Sequence, residues 1–210
     1  MTAIVESRPL QKNVKKARAL LFIDGIDSAW KGFESLAIWL IKKIKPQTVV
    51  DLGFHRALST VAFAFKNNGH VFGIDWFEEE DYAQKVLVLD GAFQKIAEAI
   101  RCNYVKNVHL IIGPPQEVAN NWKREIDILH IDRAQSYESI RAHFERWGSH
   151  LRAKGVLLIH DIDRFSGVNR FYQELPGAKI ALHQGGGMGI ISQDAKLIAE
   201  ISAKYVAEIH

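Results

Sequence analysis

The sequence predicts an α/β protein, a three-layer sandwich on a mostly parallel, seven-stranded sheet that ends in an antiparallel hairpin. Three observations predict it. Short apolar runs alternate with longer stretches of helical period between residues 28 and 160. The run TVVDLGFHRALST at 48–60 passes from apolar residues to Asp51, then Gly53, then a loop, then Ser59 and Thr60, which reads as strand, tight turn and helix start. Near the end, KIALH and MGIIS flank QGGG; two short strands joined by a glycine-rich link make a hairpin, so one strand must run antiparallel.

The elements follow in order. Residues 1–26 read as an N-terminal arm, basic at Lys12, Lys15, Lys16 and Arg18, and loose over 1–19; residues 27–210 read as one domain. A helix is expected from Asp27 or Ser28 to Pro46, with Phe33, Leu36, Ala37, Leu40, Ile41 and Ile44 on one face. Strands are expected at 48–52, 70–75, 108–112, 126–131 and 156–160, and helices at 59–68, 82–101, 115–123 and 136–149. A helical stretch at 168–175 precedes the hairpin of 179–183 and 188–192. A last helix at 194–208 offers Leu197, Ile198, Ile201 and Tyr205 to the core.

Composition bounds the function. With 210 residues, 48% hydrophobic and 24% charged, the chain can bury a sizeable single core. A net charge of +3 is too small to argue for nucleic acid. The single cysteine, Cys102, excludes an intrachain disulfide framework and a cysteine-based zinc cluster. The polar, basic start shows no signal peptide, and no apolar run reaches membrane-spanning length, so a cytoplasmic protein with no membrane contact is expected. Trp30 and Trp39 on the apolar helix at 28–44 exceed what one core should bury, which predicts a homodimer.

Asp51 and Gly53 sit where backbone N–H groups of a turn point outward and a ligand can approach closely. About twenty residues further on, VFGID ends in Asp75, an acid placed to bind both hydroxyls of a ribose. Together they point to a nucleoside-containing cofactor.

Residues 127–163, DILHIDRAQSYESIRAHFERWGSHLRAKGVLLIHDID, carry a family resemblance. They resemble methyltransferase family 24, small class I S-adenosylmethionine-dependent methyltransferases of Rossmann-like fold. The usual text there is close to DLLHIDGxHxYExVxxDFexWxpkLxxGGxxxxHD. Asp127, His130, Ile131, Asp132, Tyr137, Glu138, Phe144, Trp147, Leu151, Gly155, His160 and Asp161 match it. The resemblance extends through GVNRFYQEL and LHQGGGMGII and back to Asp51–Thr60 and GIDWFEEED, covering about 48–192. It implies five parallel strands closed by an antiparallel hairpin. It also implies S-adenosylmethionine as cofactor: Asp51 and Gly53 at its methionine end, Asp75 on the ribose, Gly113 at the adenine edge, and Asp132 also against it. Asp132, His160 and Asp161 are the implied catalytic residues, with Asp132 and Asp161 as ligands of a divalent metal such as magnesium.

The chain departs from that pattern at four positions. Ala57 stands where the family has a second glycine. Arg133 replaces a glycine and puts a cation beside the two metal-binding acids, or a clamp beside an anionic substrate. Gln135 replaces a histidine and cannot take a proton at neutral pH. His143 stands for an aspartate and should cap or pair on its helix. Trp76 and Phe77 are candidates to pack on adenine, His183 to face the same rim, and Tyr137 reads mainly as packing. The resulting expectation is methyl transfer to an oxygen of a small molecule, such as a sugar or glycosylated metabolite. The alternatives are a non-catalytic binding or assembly protein, motivated by Ala57, Arg133 and Gln135, and a nucleic-acid methyltransferase, motivated by the basic arm. The fourth strand ends Ile-Asp-Arg-Ala, without an Asn/Asp-Pro-Pro-Tyr-like target motif, which argues against nucleic acid.

Overall fold

A computed structural model describes residues 8–76 and 82–205. Seven strands form one sheet: β1 (Thr48–Leu52), β2 (His70–Asp75), β3 (Val108–Ile112), β4 (Ile126–Ile131), β5 (Leu151–His160), β6 (Ala178–Leu182) and β7 (Met188–Ser192). Their order is β3-β2-β1-β4-β5-β7-β6. The first five run parallel, and β7 lies antiparallel between β5 and β6. Strand order reverses between β1 and β4, so the crevice for a ligand lies beyond their carboxyl ends.

Side chains alternate across the pleat and build two cores. Val49, Val71, Ile128, Val156 and Leu158 face one layer, formed by α1 (Arg8–Asp24), α2 (Glu34–Ile44), α3 (Leu58–Ala64), α4 (Tyr82–Arg101) and α8 (Ala195–Tyr205). Val50, Leu52, Leu129, Ile131 and Leu157 face the other, formed by α5 (Pro115–Asn120), α6 (Tyr137–Trp147) and α7 (Ser166–Glu174). All of β1 and β4 is buried, as strands covered on both faces must be.

Several expectations change. The arm expected to be loose is helical from Arg8, and Ala19, Ile23 and Ile26 are buried in the first core. The helix expected from residue 28 starts at Glu34 instead: Gly32 adopts φ +100, and its N–H donates to the Glu34 carboxylate at 2.7 Å, which ends the preceding turn. β5 begins at Leu151, five residues before its apolar run, because an irregular register pairs Leu151 with Ile126 and then Val156 with Ile128. Of the two tryptophans behind the expected homodimer, Trp30 is 2% exposed, and Trp39 is half-buried with its ring edge-on to Tyr205. Residues 1–7, Phe77 and positions 206–208 of the last predicted helix lie outside the described residues.

Candidate active site

β1 pairs with β4 so that Asp51 stands beside His130. Both are fully buried. Asp51 Oδ2 accepts from the Ser59 and Thr60 hydroxyls at 2.7 and 2.5 Å, and Oδ1 lies 2.7 Å from His130 Nδ1. The Trp30 indole N–H donates to His130 Nε2 at 3.1 Å. An indole can only donate, so Nε2 accepts and Nδ1 carries the proton donated to Asp51. Asp51, expected at the methionine end of the cofactor, is therefore sealed into a Trp30–His130–Asp51 chain that fixes the first turn of α3. Gly53 keeps the tight turn: its φ is +91, and a Cβ would sit 2.7 Å from the Asp132 carbonyl. Ala57, where a glycine is usual, is also left-handed at φ +68. That conformation costs an alanine about 1 kcal/mol.

Asp75 ends β2 with its side chain 3% exposed. Its Oδ1 accepts from the Trp76 backbone N–H at 2.8 Å and from Arg133 Nη1 at 2.6 Å, and its Oδ2 from the His55 N–H at 3.0 Å. Arg133 thus pairs with the ribose-binding candidate rather than with the two proposed metal ligands. The acid expected to receive two ribose hydroxyls already receives three protein donors. Gly113 follows β3, its N–H donates to the Asp75 carbonyl at 2.9 Å, and among the described residues no atom beyond its chain neighbours lies within 4 Å of a Cβ placed on it.

The ends of β4 and β5 bring Asp132, His160 and Asp161 together, with one ligand atom of each within 4.8 Å of the others. His160 Nδ1 lies 2.6 Å from Asp132 Oδ1 and 3.4 Å from Asp161 Oδ1; its Nε2 lies 2.8 Å from the Gly185 carbonyl. Both ring nitrogens thus face acceptors. Burial alone would lower the His160 pKa, but the bond to Asp132 and the charges of Asp132 and Asp161 outweigh it, and the net shift is upward. Burial pushes the Asp161 carboxyl up, with Asp132 adding to the rise and His160 opposing it. Asp161 holds a left-handed φ of +60, and its Oδ1 is buried without a hydrogen bond. Gly186, at φ +90, approaches so closely that any side chain there would collide with Asp161 Oδ1. A cavity of about 320 Å³ opens beside Asp161, lined by Ala29, Asp163, Arg164, Gly185 and Gly186.

The carboxylate pair fits a hard divalent cation, since a buried oxygen without a donor is what such an ion satisfies. His160 fits less well, because both its nitrogens are engaged. Other candidates fall elsewhere. His183 meets Asp163 at 2.9 Å and is exposed; Tyr137 donates to Glu174 at 2.6 Å and packs on Phe171; Gln135 is exposed. His143 is buried, bonds the Arg133 backbone with one ring nitrogen, and leaves Nδ1 without a hydrogen bond. Trp30 and His130 hold roles that no sequence motif assigns; the parallel register of β1 with β4 is what brings His130 to Asp51.

Residues 50–162 match the profile of a family described as a methyltransferase domain. The chain belongs to this methyltransferase family. Its sheet is that of class I S-adenosylmethionine-dependent methyltransferases. The O-methyltransferase TomG from Streptomyces achromogenes, solved with S-adenosylmethionine, superposes with a TM-score of 0.61 at 16% identity, over 89% of this chain and 90% of that one. An O-methyltransferase from Bacillus cereus, solved with S-adenosylhomocysteine, gives 0.60 at 18% identity, over 90% and 94%. A methyltransferase from Geobacter sulfurreducens gives 0.58 at 18% identity, over 91% and 92%. At these identities the likeness establishes the fold. A curated protein of Sinorhizobium fredii, uncharacterized protein y4gI, is 22% identical over 172 residues; this methyltransferase chain spans 18% of its length. No described helix is long and apolar enough to cross a membrane.

Proposed function

We propose that this chain transfers a methyl group from S-adenosylmethionine to a hydroxyl oxygen of a small acceptor, with sugars and glycosylated metabolites as the acceptor class. The observation that carries the reading is the convergence of Asp132, His160 and Asp161 at the carboxyl ends of β4 and β5, next to the turn of Gly53 and the end of β2. The sulfonium methyl is already activated, so the protein's task is to align an oxygen in line with it and to keep water out. Gly53 and Gly113 give the cofactor its close approaches, and Asp75 faces the ribose once Arg133 withdraws. Asp161, with a buried oxygen lacking a donor, is placed to accept the hydroxyl proton. His160 holds Asp132 and compensates the charge of the two acids. Asp132 and Asp161 would also hold a magnesium-like cation, which would acidify a bound hydroxyl.

A second reading, a binding or assembly protein that keeps the fold without turnover, is favoured by one observation: the Arg133–Asp75 pair stands where the ribose would bind. One assay separates the two. Release of S-adenosylhomocysteine is followed with a panel of hydroxyl-bearing sugars and glycosides, with magnesium and with chelator. The proposal expects acceptor-dependent release that drops with chelator if the cation is used. Cofactor binding with no release on any hydroxyl acceptor favours the second reading.

A further inference from the structure

A second concavity lies at the opposite edge of the sheet from the candidate active site. It is a groove of about 1130 Å³, bounded by α1, α2, the ends of α3 and α8, and the two loops that enter β1 and β2. We propose that this groove is a second binding site, for a free single-chain carboxylate amphiphile of the fatty-acid class. The proposal stands independently of the methyl-transfer reading.

The groove has an apolar body and a polar end. Leu20, Ile23, Ile38, Trp39 and Ile41 supply the body. The polar end comes from loops that abut: the His70 N–H donates to the Gln47 carbonyl at 2.8 Å, and Gly69 presses against the Pro46 and Gln47 carbonyls, where no side chain would fit. Those loops bring Lys45 and Lys66 to the same groove. Both lysines are left-handed, with φ of +53 and +60. Lys45 is the C-cap of α2 and Lys66 follows the C-cap of α3, where helices commonly end in a left-handed residue.

Asn67, next to Lys66 in sequence and 3% exposed, also lines the groove. Its Oδ1 accepts from the Gly69 N–H at 2.9 Å, which fixes the amide orientation. Its Nδ2 is then a buried donor without a hydrogen-bond partner. Such a donor costs about 1–3 kcal/mol unless something accepts from it. A carboxylate suits a groove end that gathers Lys45, Lys66 and an amide without a hydrogen-bond partner, and an alkyl chain suits the walls beyond. The remaining charged residues lining the groove, Lys16, Lys42 and Lys204 against Asp24 and Glu34, keep its field positive. An anionic head therefore fits and a cationic one does not.

The test titrates the full chain with sodium dodecanoate below its micelle concentration, read by calorimetry and by the change in Trp39 fluorescence. Dodecyltrimethylammonium and phosphatidylglycerol vesicles are the comparison ligands. Saturable one-to-one binding of dodecanoate is expected, with no such binding of the cationic amphiphile. Asn67→Asp keeps the acceptor for Gly69 and replaces the donor with a negative charge; it should weaken dodecanoate at least tenfold. The double variant Lys45→Gln/Lys66→Gln, which leaves Asn67 and the fold's packing in place, should weaken it comparably. The proposal is overturned by absence of saturable binding, by equal affinity for the two amphiphiles, by binding to vesicles alone, or by wild-type affinity in the folded lysine double variant.

Discussion

The two halves of the carboxyl edge handle their acids differently. Where β1 and β2 end, the protein takes up its own carboxylates: Asp51 receives Ser59, Thr60 and His130, and Asp75 receives His55, Trp76 and Arg133. Where β4 and β5 end, Asp161 keeps a buried oxygen without a hydrogen bond, on a left-handed backbone beside a cavity. The first half is held by the protein's own hydrogen bonds, and at Asp75 by an ion pair with Arg133 that the proposed cofactor has to displace. The second holds polar capacity that folding leaves unused. The difference separates residues that build the site from residues that can act in it, although both sets look alike as acids at strand ends.

The largest expected effect breaks the second half. Asp161→Asn should lower turnover roughly 10²–10⁴-fold, the usual range for losing a group that moves a proton in the reaction, while cofactor affinity stays within about twofold. Turnover within tenfold of wild type would move the chemistry away from Asp161. Next comes the scaffold. Asp51→Asn leaves His130, Ser59 and Thr60 facing a neutral amide in a sealed site, and should cost about 3 kcal/mol of stability in urea unfolding. A loss below about 1 kcal/mol would mean that the network is not the scaffold described above.

The internal ion pair should matter less. Arg133→Gly frees the Asp75 oxygen that the guanidinium holds, and S-adenosylhomocysteine should bind roughly tenfold more tightly, about 1.4 kcal/mol. Weaker binding in this variant would make Arg133 part of the cofactor site instead of a competitor for it. The smallest effect concerns pH. Burial, followed by the nearby Arg133 charge, holds the His143 pKa below its ordinary value of 6.5, against a raising backbone bond from Arg133. The unfolded chain therefore takes up the proton first as pH falls, and stability contributed by neutral His143 is lost below about pH 6.5. His160 is shifted upward, so its contribution has the opposite sign and is lost as pH rises through its folded value. The comparison of wild type with His143→Leu isolates the first: the variant should lose less stability between pH 7.5 and 5.5. Equal losses would mean that His143 does not titrate on unfolding.

The strands were legible because alternation of short apolar runs with helical stretches needs no tertiary information. α1 was not: over residues 16–24 the buried positions, Ala19 and Ile23, give too short a stripe to separate a helix from a basic arm. The first half of β5, Arg152–Lys154, is exposed and polar, so only its register with β4 shows it to be strand. Ala57 was legible as a strained position, since the turn needs positive φ whatever residue fills it. The Arg133–Asp75 pair was not, because fifty-eight positions separate the partners and the reach of a long side chain between neighbouring loops is a tertiary fact. Asp51 reads as a ligand contact by position alone; its bonds to Ser59, Thr60 and His130, and the Trp30 indole on His130, are tertiary facts.

The central claim is that Asp75 and its neighbours form a cofactor site, and calorimetry with S-adenosylhomocysteine on wild type and Asp75→Ala tests it most directly. Saturable binding by wild type is expected, weakened at least tenfold in Asp75→Ala with the fold intact by circular dichroism. No heat of binding at millimolar ligand, or equal affinity in the two proteins, would contradict the assignment.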